Sequence, residues 1–269
     1  MRQLNASIGM ILIAALAVTA SVAYLWTPYD PVAVVIDERL QPPSVQHWLG
    51  TDEFGRDVAS RLMAGATVSA GVAAMTTLLA LAMGTLLGLL AGYARGWTDR
   101  IVMTVNDALL AFPGILFALA LLVILGASRG ALILALAFAY TPAVVRMVRA
   151  SVLSVREKEY VEASRVIGNS ELFTALRHVL PNCLSPIIVL GTSMLGWVLL
   201  SESALSFLGL GVPPPAPSWG NMLAESRPFF DTSAWLSLAP GICIALTLLG
   251  TNLLGDALRD RFDPRMVMA

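Results

Sequence analysis

The chain has 269 residues and a formal net charge of −1, and 57% of its residues are hydrophobic while only 13% are charged. With a mean hydropathy of +0.75, this composition excludes a soluble globular domain and predicts an integral membrane protein. The two cysteines, Cys183 and Cys243, lie far apart in apolar stretches, so neither a disulfide framework nor a cysteine metal site is indicated. We expect no metal site and no nucleic-acid partner.

Six apolar runs are long enough for transmembrane helices, which need about 20 residues each. The sequence therefore predicts an all-α polytopic membrane protein with six transmembrane helices and both termini on one side. Arg2 is the only basic residue before the first run, and no convincing cleavage site follows the run. We therefore interpret it as a retained helix rather than a signal peptide. The runs cover roughly residues 8–26, 68–93, 101–125, 131–148, 186–208 and 236–256.

The basic residues predict the orientation of these helices. With the N-terminus inside, the inner segments carry twelve of the 17 Lys and Arg residues and the outer segments carry five, which satisfies the positive-inside rule. Both termini are therefore expected in the cytoplasm. The chain divides into an N-terminal transmembrane helix at 1–26, an external segment at 27–67, a five-helix core at 68–256 and a cytoplasmic tail at 257–269.

The predicted external segment is too long for a tight turn and contains four prolines, so we expect an irregular cap on the outer face. Its second half reads HWLGTDEFGRD over residues 47–57. Thr51 or Asp52 can cap a helix there. The spacing of Val58, Leu62 and Met63 would let such a helix lie along the membrane surface.

The third apolar run contains Phe112-Pro113-Gly114, which is expected to kink or break the helix. Asp107 lies shortly before this break. An ionisable group at that depth usually faces the bundle interior, so two interpretations stay open. Asp107 either makes a structural contact at a helix end or belongs to a transport pathway.

A polar, charged loop at residues 154–181 interrupts the apolar chain and faces the cytoplasm in the predicted topology. Ser154 and Glu157 have the spacing of a capping box, which predicts a helix that starts at Ser154. A second helix is expected after it, with one apolar face formed by Leu172, Phe173, Leu176, Val179 and Leu180. The residues predicted to end the first helix, cap the second and end the second are Gly168, then Asn169 or Ser170, and then Pro181.

The fifth apolar run carries Trp197, Ser201 and Glu202. A carboxylate in hydrocarbon is costly, so Glu202 must be paired, protonated or in contact with water. It either lines a pathway near an outer gate or pins two helices together. The run ends in the loop GVPPPAPSWG at residues 211–220, which we expect to be stiff and extended, and Ser218 can cap a short helix that ends before Pro228.

Several of these motifs resemble one family. Glu162-Ala163-Ser164, Gly168 and Leu180-Pro181 resemble the EAA-x-x-x-G…LP loop of permease subunits of ABC importers. LGTDEFGRD at 49–57, SFLGLGVPPPAPSWG at 206–220 and NLLGDALRD at 252–260 resemble the dipeptide, oligopeptide and nickel permeases of that family. The resemblance covers nearly the whole chain and implies a type I ABC importer permease fold with a cytoplasmic coupling helix.

The resemblance also implies which residues act. The charged loop would dock on an ATPase subunit, where small residues permit close approach. The implied ATPase-coupling residues are Tyr160, Glu162, Ala163, Ser164, Gly168, Leu180 and Pro181. Those implied at the external gate or the binding-protein contact are Thr51, Asp52, Gly55, Arg56, Asp57 and Trp219, and the pathway candidates are Asp107, Trp197, Ser201 and Glu202.

The chain itself carries no means of hydrolysing ATP. A phosphate-binding G-x-x-x-x-G-K-[ST] loop needs a lysine, and the only lysine is Lys158, between Glu157 and Glu159. We therefore expect a non-catalytic permease without a cofactor of its own, and ATP and Mg²⁺ bound by two ATPase subunits or a homodimeric ATPase. The resemblance further implies a homologous permease chain, an extracytoplasmic solute-binding protein and a location in the bacterial inner membrane.

Peptides are the expected cargo, and nickel, opines, haem and glutathione are alternatives within the resembled group. An embedded hydrolase is disfavoured because the sequence has no H-E-x-x-H, G-x-S-x-G or S-x-x-K motif, and His47 and His178 fall on opposite sides of the membrane. A secondary transporter that needs no ATPase is the other alternative. Such proteins often have duplicated halves, and the sequence contains no persuasive internal repeat.

Overall fold

The computed structural model describes residues 2–262, with side chains from residue 4, so Arg265 and the predicted tail beyond residue 262 lie outside the described residues. Its secondary structure is helical, with one isolated antiparallel bridge between Thr51 and Asp57. A π turn at Ala175–Val179 joins two of the helices. The helices are α1 (Arg2–Leu25), α2 (Val58–Ala94), α3 (Gly96–Leu110), α4 (Gly114–Leu125), α5 (Arg129–Val155), α6 (Glu159–Val166), α7 (Glu171–Thr174), α8 (Leu180–Phe207), α9 (Trp219–Ser226) and α10 (Trp235–Phe262).

The long helices account for the predicted spans. Within the described residues, α1, α2, α5, α8 with the turns before it, and α10 are each long and apolar enough to cross a bilayer. Helices α3 and α4 make a sixth crossing if they are taken as one span, which bends by 92° between them. Because Pro113 cannot donate a helical hydrogen bond, the chain turns at the predicted Phe112-Pro113-Gly114 sequence, and that prediction is confirmed.

The two ends of the bundle differ in what they carry. Residues 156–179 connect α5 to α8 at one end, which we call the loop end. The segment before α2, residues 26–57, lies at the opposite end together with α9. We call this end the cap end and residues 26–57 the cap segment.

Helices α2 and α5 form the most tightly packed pair because small residues of α2 face valines of α5. A Cβ atom added at Gly84 would lie 2.4 Å from the Cβ atom of Val144, and one at Gly92 would lie 2.9 Å from that of Val152. Gly88 lies between them on the same face of α2, one turn from each. This spacing of small residues lets two helix backbones approach closely in a membrane, where dispersion rather than hydrophobic burial drives association.

The remaining long helices pack around this pair. Helix α8 contacts α2, α5 and α10, while α1 lies on α10 and α2. The Thr67 hydroxyl donates to the Ala20 carbonyl at 2.8 Å, which fixes α1 against α2. Large apolar side chains of α1 and α4 remain exposed in the single chain, as expected for surfaces that face lipid or another subunit.

Three predicted helix boundaries are wrong. Asp57, not Thr51 or Asp52, caps α2 by accepting the Ser60 N–H at 2.7 Å, and α2 then continues into the membrane instead of lying on its surface. Ser154 lies inside α5, whose apolar face continues through Val152, so no helix starts there. Pro181 does not end a helix, because it lies in the first turn of α8, where a missing N–H is tolerated.

Candidate functional site

The charged loop folds into two short helices that turn back on each other. Helix α6 ends just before Gly168, which has φ +94°, a left-handed conformation that glycine adopts without strain. Ser170 then caps α7 by accepting the Phe173 N–H at 3.3 Å. The predicted roles of Gly168 and Ser170 in local structure are therefore confirmed, and Asn169 is not the cap.

The interior of this loop is held by small polar side chains. The hydroxyl oxygens of Ser164 and Thr174 lie 3.0 Å apart, and the Asn169 side-chain amide donates to Ser164 at 3.1 Å. Thr174 itself and Val179 beside it in the loop are fully buried. Ser164 was expected on a face presented to a partner, but the structure turns it inward, where it joins α6 to α7.

The outer surface of the loop is apolar in spite of the charges around it. Val166 and Ile167 are 81% and 79% exposed, and Leu172 is 70% exposed. Of the predicted coupling residues, Tyr160, Glu162, Ala163, Gly168 and Pro181 are exposed and Leu180 is half-buried. Val166 and Ile167 were missed because their exposure depends on how α6 sits on the bundle, which no local pattern reports.

The loop is also fastened to the end of α2, far away in sequence. The Tyr93 hydroxyl donates to Glu171 of α7, and the Arg165 guanidinium lies 5.4 Å from the Tyr93 ring. Hydrogen bonding to Tyr93 raises the pKa of Arg165. Burial, followed by repulsion from Arg95 and Arg165, lowers the pKa of Arg156, whose guanidinium donates to the last carbonyls of α2.

At the cap end, the predicted LGTDEFGRD residues form a compact turn. The Asp52 carboxylate accepts the backbone N–H groups of Phe54 and Arg56 at 2.8 and 3.0 Å. A side chain at Gly55 would meet the Val35 carbonyl oxygen at 1.8 Å, and Gly55 has φ +73°, so only glycine fits there. Thr51 is fully buried and its hydroxyl accepts the Gln41 N–H at 2.9 Å.

Two arginines join this turn to α9. Arg61 is 1% exposed, and its guanidinium lies 2.8 Å from Glu225 and 3.3 Å from Asp52. Arg56 contacts the same two carboxylates, at 3.0 Å and 2.6 Å. Burial, followed by repulsion from Glu225 and Asp52, raises the pKa of the neighbouring Glu53. Sequence analysis missed Arg61 and Glu225, which are 164 residues apart.

The remaining cap residues are buried as well. The Asp57 and His47 side chains lie 2.9 Å apart. The Trp219 indole N–H donates to the Leu62 carbonyl at 3.0 Å, and its ring is packed inside the bundle. The residues predicted at the external gate or the binding-protein contact are all buried in the single chain, where they position the cap segment and α9: Thr51, Asp52, Gly55, Arg56, Asp57 and Trp219.

The pathway candidates fall in three different environments. Asp107 pairs with Arg146 of α5 at 2.7 Å, and both side chains are exposed, so the geometry favours the helix-end contact. Glu202 is fully buried and accepts the Ser206 hydroxyl at 2.7 Å. Its burial between α8, α2 and α9 favours the interpretation in which it pins helices together. Trp197, by contrast, is 60% exposed.

Ser201 lies beside Trp197 on a cavity of about 250 Å³ between α4, α5 and α8. The Tyr140 hydroxyl lies 2.9 Å from the Ser201 hydroxyl and donates to the Trp197 carbonyl at 3.1 Å. Tyr140 could not be recognised from the sequence, because its partner Ser201 lies 61 residues further along the chain. A second cavity, of about 460 Å³, lies between α5, α8 and α10 near the loop end and is lined in part by Ser185, Ser193 and Arg259.

These features can be compared with known proteins. Residues 84–268 match the model of the family described as binding-protein-dependent transport system inner membrane component. The chain belongs to this family. It is 42% identical over 261 residues to the dipeptide transport system permease protein DppC of Alkalihalophilus pseudofirmus, covering 97% of this chain and 86% of that protein. It is 39% identical over 259 residues to the glutathione transport system permease protein GsiD of Pectobacterium atrosepticum, covering 96% and 86%.

The fold of this permease also matches a solved structure. A chain from inward-facing conformations of the MetNI methionine ABC transporter aligns with a TM-score of 0.62 at 18% identity, covering 76% of this chain and 97% of that chain. The type I importer fold expected from the sequence is therefore confirmed. Within the described residues of the permease, no group of three His, Cys, Asp or Glu side chains is placed to hold a metal ion.

Proposed function

We propose that this permease forms one half of a peptide pathway through the bacterial inner membrane and that ATPase subunits drive it from the loop end. The single observation that carries the proposal is the exposed apolar surface of the charged loop. Val166, Ile167 and Leu172 are exposed beside charged residues at the end of the bundle, and an apolar surface of this kind marks a site that another protein or the membrane surface covers. We propose a protein, because the loop resembles the ATPase-docking loop of ABC importers. The sequence has no phosphate-binding loop, so ATP that drives this transport is hydrolysed by another polypeptide.

The loop is suited to transmit force as well as to bind. The pairs around Ser164 hold α6 and α7 as one unit. This unit continues through the π turn into α8 without an interruption longer than a turn. When ATP brings two ATPase subunits together, each loop moves with its ATPase and shifts the helices joined to it. Access to the pathway then alternates between the two sides of the membrane.

The orientation follows from the basic residues. Twelve of 17 Lys and Arg residues fall on the loop side in the sequence count, which makes the loop end cytoplasmic by the positive-inside rule. The termini are then cytoplasmic and the cap segment faces outward. A solute-binding protein would meet the cap end through exposed side chains such as Phe54 of the LGTDEFGRD turn and Trp48 just before it.

The pathway runs between this permease and a homologous permease chain, because the single chain leaves the Tyr140–Ser201 hydroxyl pair on an open cavity and Trp197 exposed on its surface. Hydroxyl groups and an indole ring suit peptides, whose amides need hydrogen bonds and whose side chains vary. The names of the relatives point to the same substrate class, since glutathione is itself a small peptide. We therefore propose di- and oligopeptides as the cargo.

The test compares two charge substitutions. Ile167→Asp places a charge on the proposed docking surface, and Val45→Asp is the matched control, since Val45 is 94% exposed at the cap end. After purification in mild detergent, Ile167→Asp should lose its ATPase subunits and its ATP-driven peptide uptake in proteoliposomes, whereas Val45→Asp should retain the ATPase. Peptide uptake by the purified chain without any ATPase subunit would instead establish a secondary transporter.

A further inference from the structure

Tyr93 stands where the charged loop meets a helix that is not its neighbour in sequence. The loop continues directly into α5 and α8, whereas Tyr93 is the penultimate residue of α2. Its side chain is half-buried and lies 78 residues before its partner Glu171. A connection of this kind gives the loop a third helix to act on.

The Tyr93 side chain contacts both helices of the loop. Its hydroxyl donates a hydrogen bond to the Glu171 carboxylate of α7. Its ring lies 5.4 Å from the guanidinium carbon of Arg165 of α6, a distance at which a cation interacts with an aromatic ring. Arg165 and Glu171 also pair with each other at 3.4 Å, so the three side chains form a closed triangle.

The backbone at the end of α2 is held by α5 rather than by the loop helices. The Arg156 guanidinium donates to the Gly92 and Tyr93 carbonyls at 3.2 and 2.6 Å, which satisfies groups that a helix C-terminus leaves open. Gly92 packs directly against Val152. The ends of α2 and α5 therefore behave as one rigid body, because neither can shift without breaking this packing.

A second ion pair lies at this junction. Arg95 and Glu157 lie 2.8 Å apart, but their side chains are 49% and 71% exposed, and exposed pairs contribute little. The Glu171 side chain is also 68% exposed, so the half-buried Tyr93 ring beside Arg165, which is 29% exposed, is the stronger contact of the triangle. Within the described residues, Tyr93 thus supplies the contacts that join the side chains of α6 and α7 to α2.

We propose that Tyr93 is a transmission residue that carries the movement of the ATPase-bound loop into the rigid α2–α5 pair. This inference rests on the proposed function, in which ATPase subunits dock on the charged loop. With Tyr93 in place, a displacement of α6 and α7 moves three helices of the pathway together. Without it, α6 and α7 move with the ATPase while the α2–α5 pair lags, because residues 156–158 between α5 and α6 are not helical. ATP is then hydrolysed without transport.

Graded substitutions separate the hydroxyl of Tyr93 from its ring. Tyr93→Phe removes the hydrogen bond to Glu171 and keeps the ring beside Arg165 and Arg156, whose guanidinium lies 5.5 Å from it, whereas Tyr93→Leu removes the ring as well. The matched controls are Tyr24→Phe and Tyr24→Leu, since Tyr24 is 82% exposed at the opposite end of the bundle. Each variant is purified with its partner subunits and reconstituted with the binding protein.

Three quantities are measured: retention of the ATPase subunits, ATPase activity, and peptides imported per ATP hydrolysed. We expect Tyr93→Leu to retain the ATPase and to import about fivefold fewer peptides per ATP, the lower end of the range for coupling between sites. Tyr93→Phe should fall between it and the wild type. Both Tyr24 variants should match the wild type.

A double-mutant cycle keeps the inference testable if Tyr93→Leu does not assemble. If the hydroxyl acts through Glu171, then Tyr93→Phe should lower transport per ATP in the wild type and cause no further loss in Glu171→Leu, which removes the acceptor of its hydrogen bond. Unchanged transport per ATP in Tyr93→Phe and Tyr93→Leu would overturn the inference, as would loss of the ATPase in step with lost transport. Failure of the wild type to retain any ATPase would instead refute the proposed function itself.

Discussion

Replacing Arg61 by leucine removes a buried cation that holds the cap segment on the bundle. The Arg61 guanidinium lies 2.8 Å from Glu225 of α9 and 3.3 Å from Asp52 of the cap segment, and its side chain is 2% exposed. Leucine occupies part of the same volume but leaves the buried Asp52 carboxylate and the partly buried Glu225 carboxylate with one cation fewer. The loss of stability should be largest in the cap segment and α9, because the two carboxylates belong to these elements.

The expected loss of stability depends on the cation that remains beside the two carboxylates. Removing one partner of a buried ion pair typically costs about 3–5 kcal/mol. Arg56 stays 3.0 Å from Glu225 and 2.6 Å from Asp52 in the variant, so each carboxylate keeps one cation. We therefore expect about half of the full loss, ~2 kcal/mol, or a fall of about 4–8 °C in the unfolding midpoint of a chain of this size.

The assay is thermal unfolding in mild detergent, combined with limited proteolysis of residues 26–57. Arg61→Leu should melt earlier and be cleaved faster in the cap segment than the wild type. The control is Arg39→Leu, which changes an exposed arginine of the same segment and should stay within about 0.5 kcal/mol of the wild type. Equal melting and equal cleavage of Arg61→Leu and Arg39→Leu would refute the reasoning.

Three further predictions concern packing, coupling and pH. Gly84→Leu should destabilise the α2–α5 pair by about 1–3 kcal/mol or prevent folding, because the first added carbon meets Val144 at 2.4 Å; detergent melting checks it, and wild-type stability would contradict it. Gly168→Leu should fold, because the space around Gly168 is open, but its backbone φ of +94° should strain the loop when a side chain is added. The variant should therefore have lower peptide uptake relative to its ATPase activity. Unchanged uptake would count against the docking role of the loop. The pKa of Glu53 is raised in the folded protein, so its contribution to the free energy of unfolding is full below its ordinary pKa of 4.5 and is lost as pH rises through the higher folded pKa. Glu53→Gln should therefore flatten the pH dependence of the melting temperature. Parallel pH profiles of the variant and the wild type would disprove this.

The sequence predicted the membrane class, the number of spans and the break at Pro113, because these features depend on local composition. Apolar length and a missing backbone N–H act in the same way in almost any context. Gly168 and Ser170 were predictable for the same reason, since a left-handed turn and an N-cap are decided within a few residues. The helix cap at Ser218 was likewise correct, because its hydroxyl accepts the Asn221 N–H at 3.2 Å.

The errors came from positions where tertiary contacts outweigh a local signal. Ser154 has good capping-box spacing, but Val152 is fully buried in the packing of α5 on α2, so the helix continues past it. Thr51 is an acceptable helix cap, yet it is committed to Gln41 within the cap segment. Ser164 is small enough for a partner contact, but its hydroxyl is needed by Thr174.

Contacts between distant elements could not be predicted from a single sequence. Arg61 and Glu225 meet across 164 residues, and Tyr93 and Glu171 across 78. Tyr140 can be recognised as part of the cavity only when α8 places Ser201 beside it. In each case the residue type is ordinary in its own helix, and the information lies in the register of two helices against each other.

Site-specific photo-crosslinking in cells can identify the polypeptide that covers the charged loop. A photoreactive residue replaces Ile167, which is 79% exposed on the charged loop, and a second variant carries it in place of Val45, which is 94% exposed at the cap end. The account predicts that position 167 crosslinks to an ATP-binding polypeptide in the cytoplasm and that position 45 does not. Capture of an ATP-binding polypeptide from position 45 alone, or capture of an extracytoplasmic protein from position 167, would contradict it.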